Sequence, residues 1–179
     1  MLVLLIFTHP QPGIKFFLFL ITCFIVGFVS EVIGINTGYL FGDYTYSQLL
    51  GPSIAGVPLI IGINWFIVIY CCGMFMKAIL NKFSPGDINQ GCRLKIYSLV
   101  IDGAILAVVF DWIMEPVAIS LGFWKWQGDI PVFNYISWFL VSIVLLLFFH
   151  AADFRTTNKF AVNLLLIQIL FFLILRSSI

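Results

Sequence analysis

Five stretches of this chain stay apolar for about the length of a bilayer crossing, and no other feature constrains its fold as strongly. They run over residues 16–35, 54–80, 94–119, 132–152 and 160–175. A crossing helix needs about 20 predominantly apolar residues, and only the last stretch falls short. Hydrophobic residues fill 62% of the 179 positions and charged residues 9%, where a soluble domain is about a quarter charged. A soluble core this small cannot hide so much apolar surface, so lipid must be the solvent for most side chains. The sequence predicts an all-α polytopic membrane protein, one integral domain over 1–179 built as a bundle of about five transmembrane helices. Residues 1–7 are too short to cross and have no basic residue ahead of them, which makes a poor signal peptide. They read as an interfacial stub or a partial N-terminal helix. No internal repeat, low-complexity tract or soluble domain stands out, and residues 84–91 read as a turn-rich loop.

Charge narrows the partners. The net charge is +1, with no basic block, which excludes nucleic acid as a partner because phosphate binding needs clustered Lys and Arg. The basic residues sort between loops. Lys15 precedes the first stretch, Lys77, Lys82, Arg93 and Lys95 flank the second connection, and Arg155 and Lys159 lie in the fourth. Residues 36–53 have none, and the loop after the third stretch has only Lys125. The positive-inside rule then puts the basic loops in the cytoplasm and the other two loops on the opposite side. Of the four cysteines, Cys23, Cys71 and Cys72 lie in apolar runs and Cys92 outside them, without a C-x-x-C pair. They read as small core residues.

Several chemistries are absent from the pattern. Two histidines, His9 and His150, cannot supply a histidine-rich di-iron site or a four-histidine iron site. His150 and Asp153 have metal-ligand spacing but read as a capping or packing pair. No G-x-G-x-x-G, G-x-x-x-x-G-K-[ST] or G-x-S-x-G occurs. Acid–base work in an apolar pocket, without a cofactor or metal, is what stays open.

Four acids lie within apolar runs: Glu31, Asp102, Asp111 and Glu115. Each needs a reason, because a carboxylate in lipid is costly. Asp111 and Glu115 are four apart and share a helix face, whereas Asp102 falls half a revolution away and nearer the other end. Glu31, Asp111 and Glu115 are expected at one depth, beneath the two loops that lack basic clusters. Like charges this close repel, so low dielectric favours keeping one carboxyl protonated, the form a proton donor needs. Pro116 cannot donate to the carbonyl of Trp112, which leaves a free acceptor beside Glu115. The alternative is that these acids bind polar groups of neighbouring helices and only hold the bundle together.

The two loops carry aromatic and polar groups in dense sequence. The first runs from Glu31 to Tyr46 and holds Asn36, Thr37, Tyr39, Asp43, Tyr44 and Tyr46, with Gly34, Gly38 and Gly42 at the four-residue spacing of small-residue helix packing. The second holds Trp124, Trp126, Asn134 and Tyr135, with Trp138 one turn on. Such rings can anchor the chain at headgroup level. They can also line the mouth of a site for a long apolar ligand and stabilise a transient cation.

The run from Glu31 to Tyr46 resembles the E-x-I-G-x-x-T-G-x-x-F-G-x-Y-x-Y signature of the CruF-type carotenoid biosynthesis family. Leu50-Gly51-Pro52, Gly56-Val57-Pro58-Leu59 and Asn64-Trp65 continue the likeness. So do Asp111-Trp112-Ile113-Met114-Glu115-Pro116, Gly122-Phe123-Trp124-Lys125-Trp126, Ile130-Pro131, Asn134-Tyr135 and Trp138, all in family order. The chain departs from the family in being shorter than many relatives, with at most a partial first helix, and in carrying Asp129 where Gly is usual. The resemblance implies a cofactor-independent hydratase of the carotenoid 1,2-hydratase kind (bisanhydrobacterioruberin or γ-carotene hydratase-like). Its implied substrate is an acyclic ψ end group of a C40 or C50 carotenoid. It further implies residence in the cytoplasmic membrane of a bacterium or archaeon, as a homo-oligomer or beside other carotenoid enzymes. On this reading Glu31, Asp111 and Glu115 are catalytic. Asn36, Thr37, Tyr39, Tyr44, Tyr46, Asn64, Trp65, Trp112, Trp124, Trp126, Asn134, Tyr135 and Trp138 contact substrate. Other readings are a carotenoid or lycopene cyclase that begins with the same protonation, a non-catalytic carotenoid-binding subunit, and a proton-coupled transporter. The last is disfavoured because no inverted repeat is evident.

Overall fold

The computed structural model describes residues 1–83 and 93–179; the turn-rich segment 84–91 and Cys92 lie outside the described residues. Among these, five helices are long and apolar enough to cross a membrane: α2 (Ile14–Thr37), α3 (Leu59–Phe83), α4 (Arg93–Ser120), α5 (Val132–Ala152) and α6 (Lys159–Arg176). A short α1 (Leu2–Thr8) precedes them. The fold is the helical membrane bundle that the apolar stretches predict.

Helix faces follow the 3.6-residue period, with apolar residues on both sides. On α2, Phe16, Phe19, Cys23, Gly27, Glu31 and Gly34 turn inward, while Leu18, Ile21, Ile25, Val29 and Ile33 stay exposed on the outer face. An apolar outer stripe is what a lipid-facing helix shows, and the acid Glu31 lies on the opposite, inward face. Central α3 is the most enclosed span, with every residue from Trp65 to Met74 buried. α2, α4 and α6 pack on it, α5 packs on α4 and α2, and α6 also contacts α4. Cys23, Cys71 and Cys72 are buried free thiols.

Three differences from the sequence reading matter for the site. First, α2 continues to Thr37, where Gly38 takes the left-handed conformation (φ 68°) and its N–H closes on the Gly34 carbonyl at 2.8 Å. A side chain there would be strained, so glycine stops the helix. Asn36 and Thr37 therefore belong to the helix, and Gly38 and Gly42 lie beyond it rather than in a packing stripe. Second, the second span starts at Leu59, not 54. Ser53–Ile54 (β2) and Val57–Pro58 (β3) form a hairpin whose turn residues Ala55 and Gly56 both have positive φ, and Pro58 ends it directly before the helix. Third, the two loops join. Tyr44–Tyr46 (β1) pairs antiparallel with Trp124–Trp126 (β4), in the register Tyr44 to Trp126, Thr45 to Lys125 and Tyr46 to Trp124.

At the opposite end of the bundle, the N-terminal segment is pinned by polar contacts among rings. His9 Nδ1 lies 2.5 Å from the Tyr70 hydroxyl, and Asn158 Nδ2 donates to Tyr70 Oη and Thr8 Oγ1, each at 3.3 Å. Asn158 Oδ1 caps α6 by accepting from the Phe160 and Ala161 amides. Phe16 lies tilted and Phe154 edge-on against the His9 ring, at 4.5 and 5.3 Å between centroids. Near this end His150 and Asp153 meet through the backbone: the Asp153 N–H closes on the His150 carbonyl at 3.1 Å in the left-handed stop of α5.

Burial holds His9 below its ordinary value of 6.5, so the folded state prefers the neutral ring. Such a group stabilises the fold above its unfolded value and loses that contribution as the pH falls. Thermal unfolding in detergent should therefore show a lower midpoint at pH 5 than at pH 7.5, with a smaller difference in His9→Asn.

Candidate active site

Glu31, Asp111 and Glu115 are respectively 4%, 1% and 3% exposed. They line one cavity at the β1–β4 end of the bundle, together with Phe41, Tyr44, Tyr46, Ile61, Asn64, Trp65, Met114, Trp124, Trp126, Asn134 and Trp138. Its volume is about 30 Å³, room for one or two water molecules. Asp102 is exposed and accepts from Ser98 one turn away on α4, apart from this group.

Each acid is held by neutral donors. Glu31 Oε2 accepts from the Tyr44 hydroxyl and, at 2.9 Å, from the Tyr46 hydroxyl. Its Oε1 accepts the Trp65 indole N–H at 3.0 Å. Glu115 Oε2 accepts the indole N–H groups of Trp124 at 3.0 Å and Trp126 at 3.1 Å. Asp111 Oδ2 accepts from Asn134 Nδ2 at 3.0 Å. The strand period of two explains the first two sets. In Tyr-Thr-Tyr and Trp-Lys-Trp the aromatic residues alternate with one polar residue, so both rings of each strand fall on the face toward the bundle. The rings pair across the ribbon, Tyr44 with Trp126 at 4.8 Å and Tyr46 with Trp124 at 5.8 Å between centroids. That alternation was available in the sequence as a strand signal, and it identifies the ribbon that joins the two loops.

The ribbon also exposes a likeness between two units that sequence comparison along the chain does not bring out. α2–β1–α3 and α4–β4–α5 each run from a helix ending just past a glutamate, through a strand whose two rings return to that glutamate, to a helix entered through proline. Trp65 and Trp138, each six residues past the first residue of its helix, stack at 4.0 Å and 18° where α3 and α5 face each other. Glu31 and Glu115 correspond in this arrangement. Asp111, one turn before Glu115, corresponds to Gly27, one turn before Glu31. Gly27 has a packing reason to be glycine: a Cβ there would lie 2.3 Å from Trp65 Cγ.

Not every expected residue reaches the cavity. Asn36 is exposed and ties α2 to the hairpin turn, donating to the carbonyls of Val32 at 2.8 Å and Ala55 at 3.2 Å. Thr37 Oγ1 donates back to the Ile33 carbonyl and accepts from the Tyr39 amide; Tyr39 itself is 77% exposed. Trp112 faces outward, and Tyr135 is half-buried outside the lining. Asp129 lies in the exposed turn after β4. Phe41, Ile61 and Met114 line the cavity unexpectedly. Met114 shares the helix face of Asp111, which spacing alone could have indicated, whereas Phe41 is folded in by a left-handed backbone (φ 67°) that no local pattern announces. Asn64, one residue before Trp65 on α3, lines the cavity as expected.

Comparison with known proteins adds a family to this geometry. Residues 1–179 match the family described as carotenoid biosynthesis protein. The chain belongs to this family. Over 124 residues it is 26% identical to a bisanhydrobacterioruberin hydratase of Haloarcula japonica, a match covering 66% of this chain and 39% of that relative. The matched part is thus well under half of the relative's length. No solved structure is similar enough to match. Family membership places the chain in carotenoid biosynthesis.

Two outcomes test this geometry. Gly27→Ala should push Trp65 off Glu31 and lower stability by about 1–3 kcal/mol, as overpacking does, read as a lower unfolding midpoint in detergent. Burial, reinforced by the nearby Glu31 charge, holds the Tyr44 and Tyr46 phenols above their ordinary value of 10.0. The folded state keeps these protons where an unfolded phenol loses them, so stability should fall as the pH climbs past about 10. The fall should be shallower in Tyr44→Phe/Tyr46→Phe.

Proposed function

We propose that this protein is a membrane carotenoid hydratase that adds water across the 1,2 double bond of an acyclic ψ end group. The observation that carries the reading is the convergence of three buried carboxyls from two helices on one water-sized, aromatic-walled cavity. The hydratase relative and the family support the substrate class.

The donor sets suggest how the acids divide the work. Glu31 accepts from two phenols and an indole, the richest donor set of the three, and serves as the base. Asp111 faces a single amide donor and carries the proton. Asp111 protonates C2 of the terminal alkene, the π pair forms the new C–H bond, and a tertiary cation develops at C1. Indole faces in the cavity wall favour that cation over bulk apolar surroundings. A water held by the Asn64 amide attacks C1, and its proton passes to Glu31. The proton returns to Asp111 through Glu115 and cavity water, leaving a tertiary alcohol and the starting enzyme. Tyr44, Tyr46, Trp124 and Trp126 hold the two glutamates while remaining protonated themselves. Lys77 and Lys82 in the last turns of α3, Arg93 and Lys95 at the start of α4 and Lys159 at the start of α6 outnumber Lys125 and Arg176 at the ribbon end, which orients the catalytic end toward the non-cytoplasmic side.

Expression in a host that makes lycopene or γ-carotene should yield a pigment heavier by one water. A product of unchanged mass would instead indicate a cyclase, and no new product would remove the catalytic reading. Glu31→Gln, Asp111→Asn and Glu115→Gln should each lower turnover about 10²–10⁴-fold, the range of a lost general acid or base. Full activity in all three would defeat the mechanism.

A further inference from the structure

Pro116 lies inside α4, directly after Glu115. Its nitrogen carries no hydrogen, so the carbonyl of Trp112, four residues earlier, receives no bond from its own helix. Trp112 sits between the two acids of α4. Its carbonyl lies about 12 Å along the axis from the last helical residue, Ser120, within an apolar span where an unsatisfied backbone oxygen is costly.

The missing donor comes from another helix. Arg176, the last residue of α6, donates its Nη1–H to the Trp112 carbonyl at 2.9 Å. Its guanidinium also lies over the Trp112 ring, 4.0 Å from the centroid. A planar, permanently charged group can do both at once, because its edge donates while its face stacks. Arg176 is absent from the cavity lining, and its hydrogen bond and its ring contact both go to Trp112. The contact couples α6, which contributes no residue to the cavity lining, to the part of α4 that carries two of the three acids.

We propose that Arg176 is a positioning residue: by satisfying the carbonyl that Pro116 leaves open, it sets the placement of Asp111 and Glu115 beneath the ribbon. This role rests on the proposed use of those acids, and it predicts a coupling between Arg176 and Pro116 that does not depend on the substrate. The orphan carbonyl exists only because residue 116 is proline, so the need for an arginine donor should vanish when an amide hydrogen is restored.

The test compares Arg176→Gln, Pro116→Ala and the double variant in detergent. Arg176→Gln alone should lower the unfolding midpoint by about 5 °C for a chain of this size. It should also shift the infrared carboxyl stretches assigned with Asp111→Asn and Glu115→Gln. In the Pro116→Ala background the same substitution should shift the midpoint less than half as far and leave the carboxyl stretches in place. Equal losses in the two backgrounds, or a lowered midpoint with unmoved carboxyl stretches, would overturn the proposal. Should Pro116→Ala fail to fold, Trp112→Ala serves instead: it removes the ring but keeps the carbonyl, so Arg176→Gln must still lower the midpoint and shift the stretches there. No effect in that background would show that the ring alone holds Arg176 and would sink the idea. With hydration as readout, Arg176→Gln should cut turnover about tenfold at little-changed KM, and Pro116→Ala should restore most of it. The midpoint and infrared results stand whether or not the substrate proves to be a ψ end group.

Discussion

A carboxyl group buried in an apolar bundle must find hydrogen-bond donors within the protein, because lipid offers none. Here the donors are almost all aromatic: two phenols and an indole for Glu31, two indoles for Glu115. An aromatic donor meets the polar requirement with one N–H or O–H and presents an apolar body to everything else. The acids are therefore satisfied without importing lysine or arginine, whose charge would fix them as permanent carboxylates. The same rings that hold the acids form the walls of the cavity, so structural support and the aromatic lining come from the same residues.

This requirement accounts for the ribbon. Two short strands lying across a helical bundle have little intrinsic stability, and β1 and β4 have three residues each. They persist because every second residue is anchored to a glutamate below and packed against a partner ring across. The cross-strand register then fixes which unit faces which, and brings Glu31 of one helix–strand–helix unit beside Glu115 of the other. Within this near-symmetric frame, Asp111 breaks the pattern. Its counterpart is Gly27, which must stay small to admit Trp65. One unit therefore uses that position for packing and the other for an acid.

Much of this was legible in the residues. The five apolar stretches fixed the class of fold through the length of a bilayer crossing; the cost of acids in lipid singled out Glu31, Asp102, Asp111 and Glu115, and spacing and topology set Asp102 apart from the other three. The four-residue spacing of Asp111 and Glu115 gave their shared face, and Pro116 announced an orphan carbonyl at Trp112. What went unread was short-range: the left-handed stop at Gly38, the two-residue turn at Ala55 and Gly56, and the alternation in Tyr-Thr-Tyr and Trp-Lys-Trp. Those signals occupy a few residues each, too few to compete with apolar runs of about twenty. As a result Asn36, Thr37 and Tyr39 looked like cavity residues because they neighbour Tyr44 in sequence, although they cap and brace the end of α2.

The sequence by itself determined that the chain is a helical membrane bundle with inward acids, because hydrophobic length and the price of buried charge are properties of residues one at a time or along one helix. Only the tertiary structure decided which donor serves which acid, that two distant loops form one ribbon, and that the last residue of α6 completes the backbone of α4. Those are pairings between segments far apart in the chain. Their energy depends on distances of about 3 Å, and nothing local to either partner records where the other will lie.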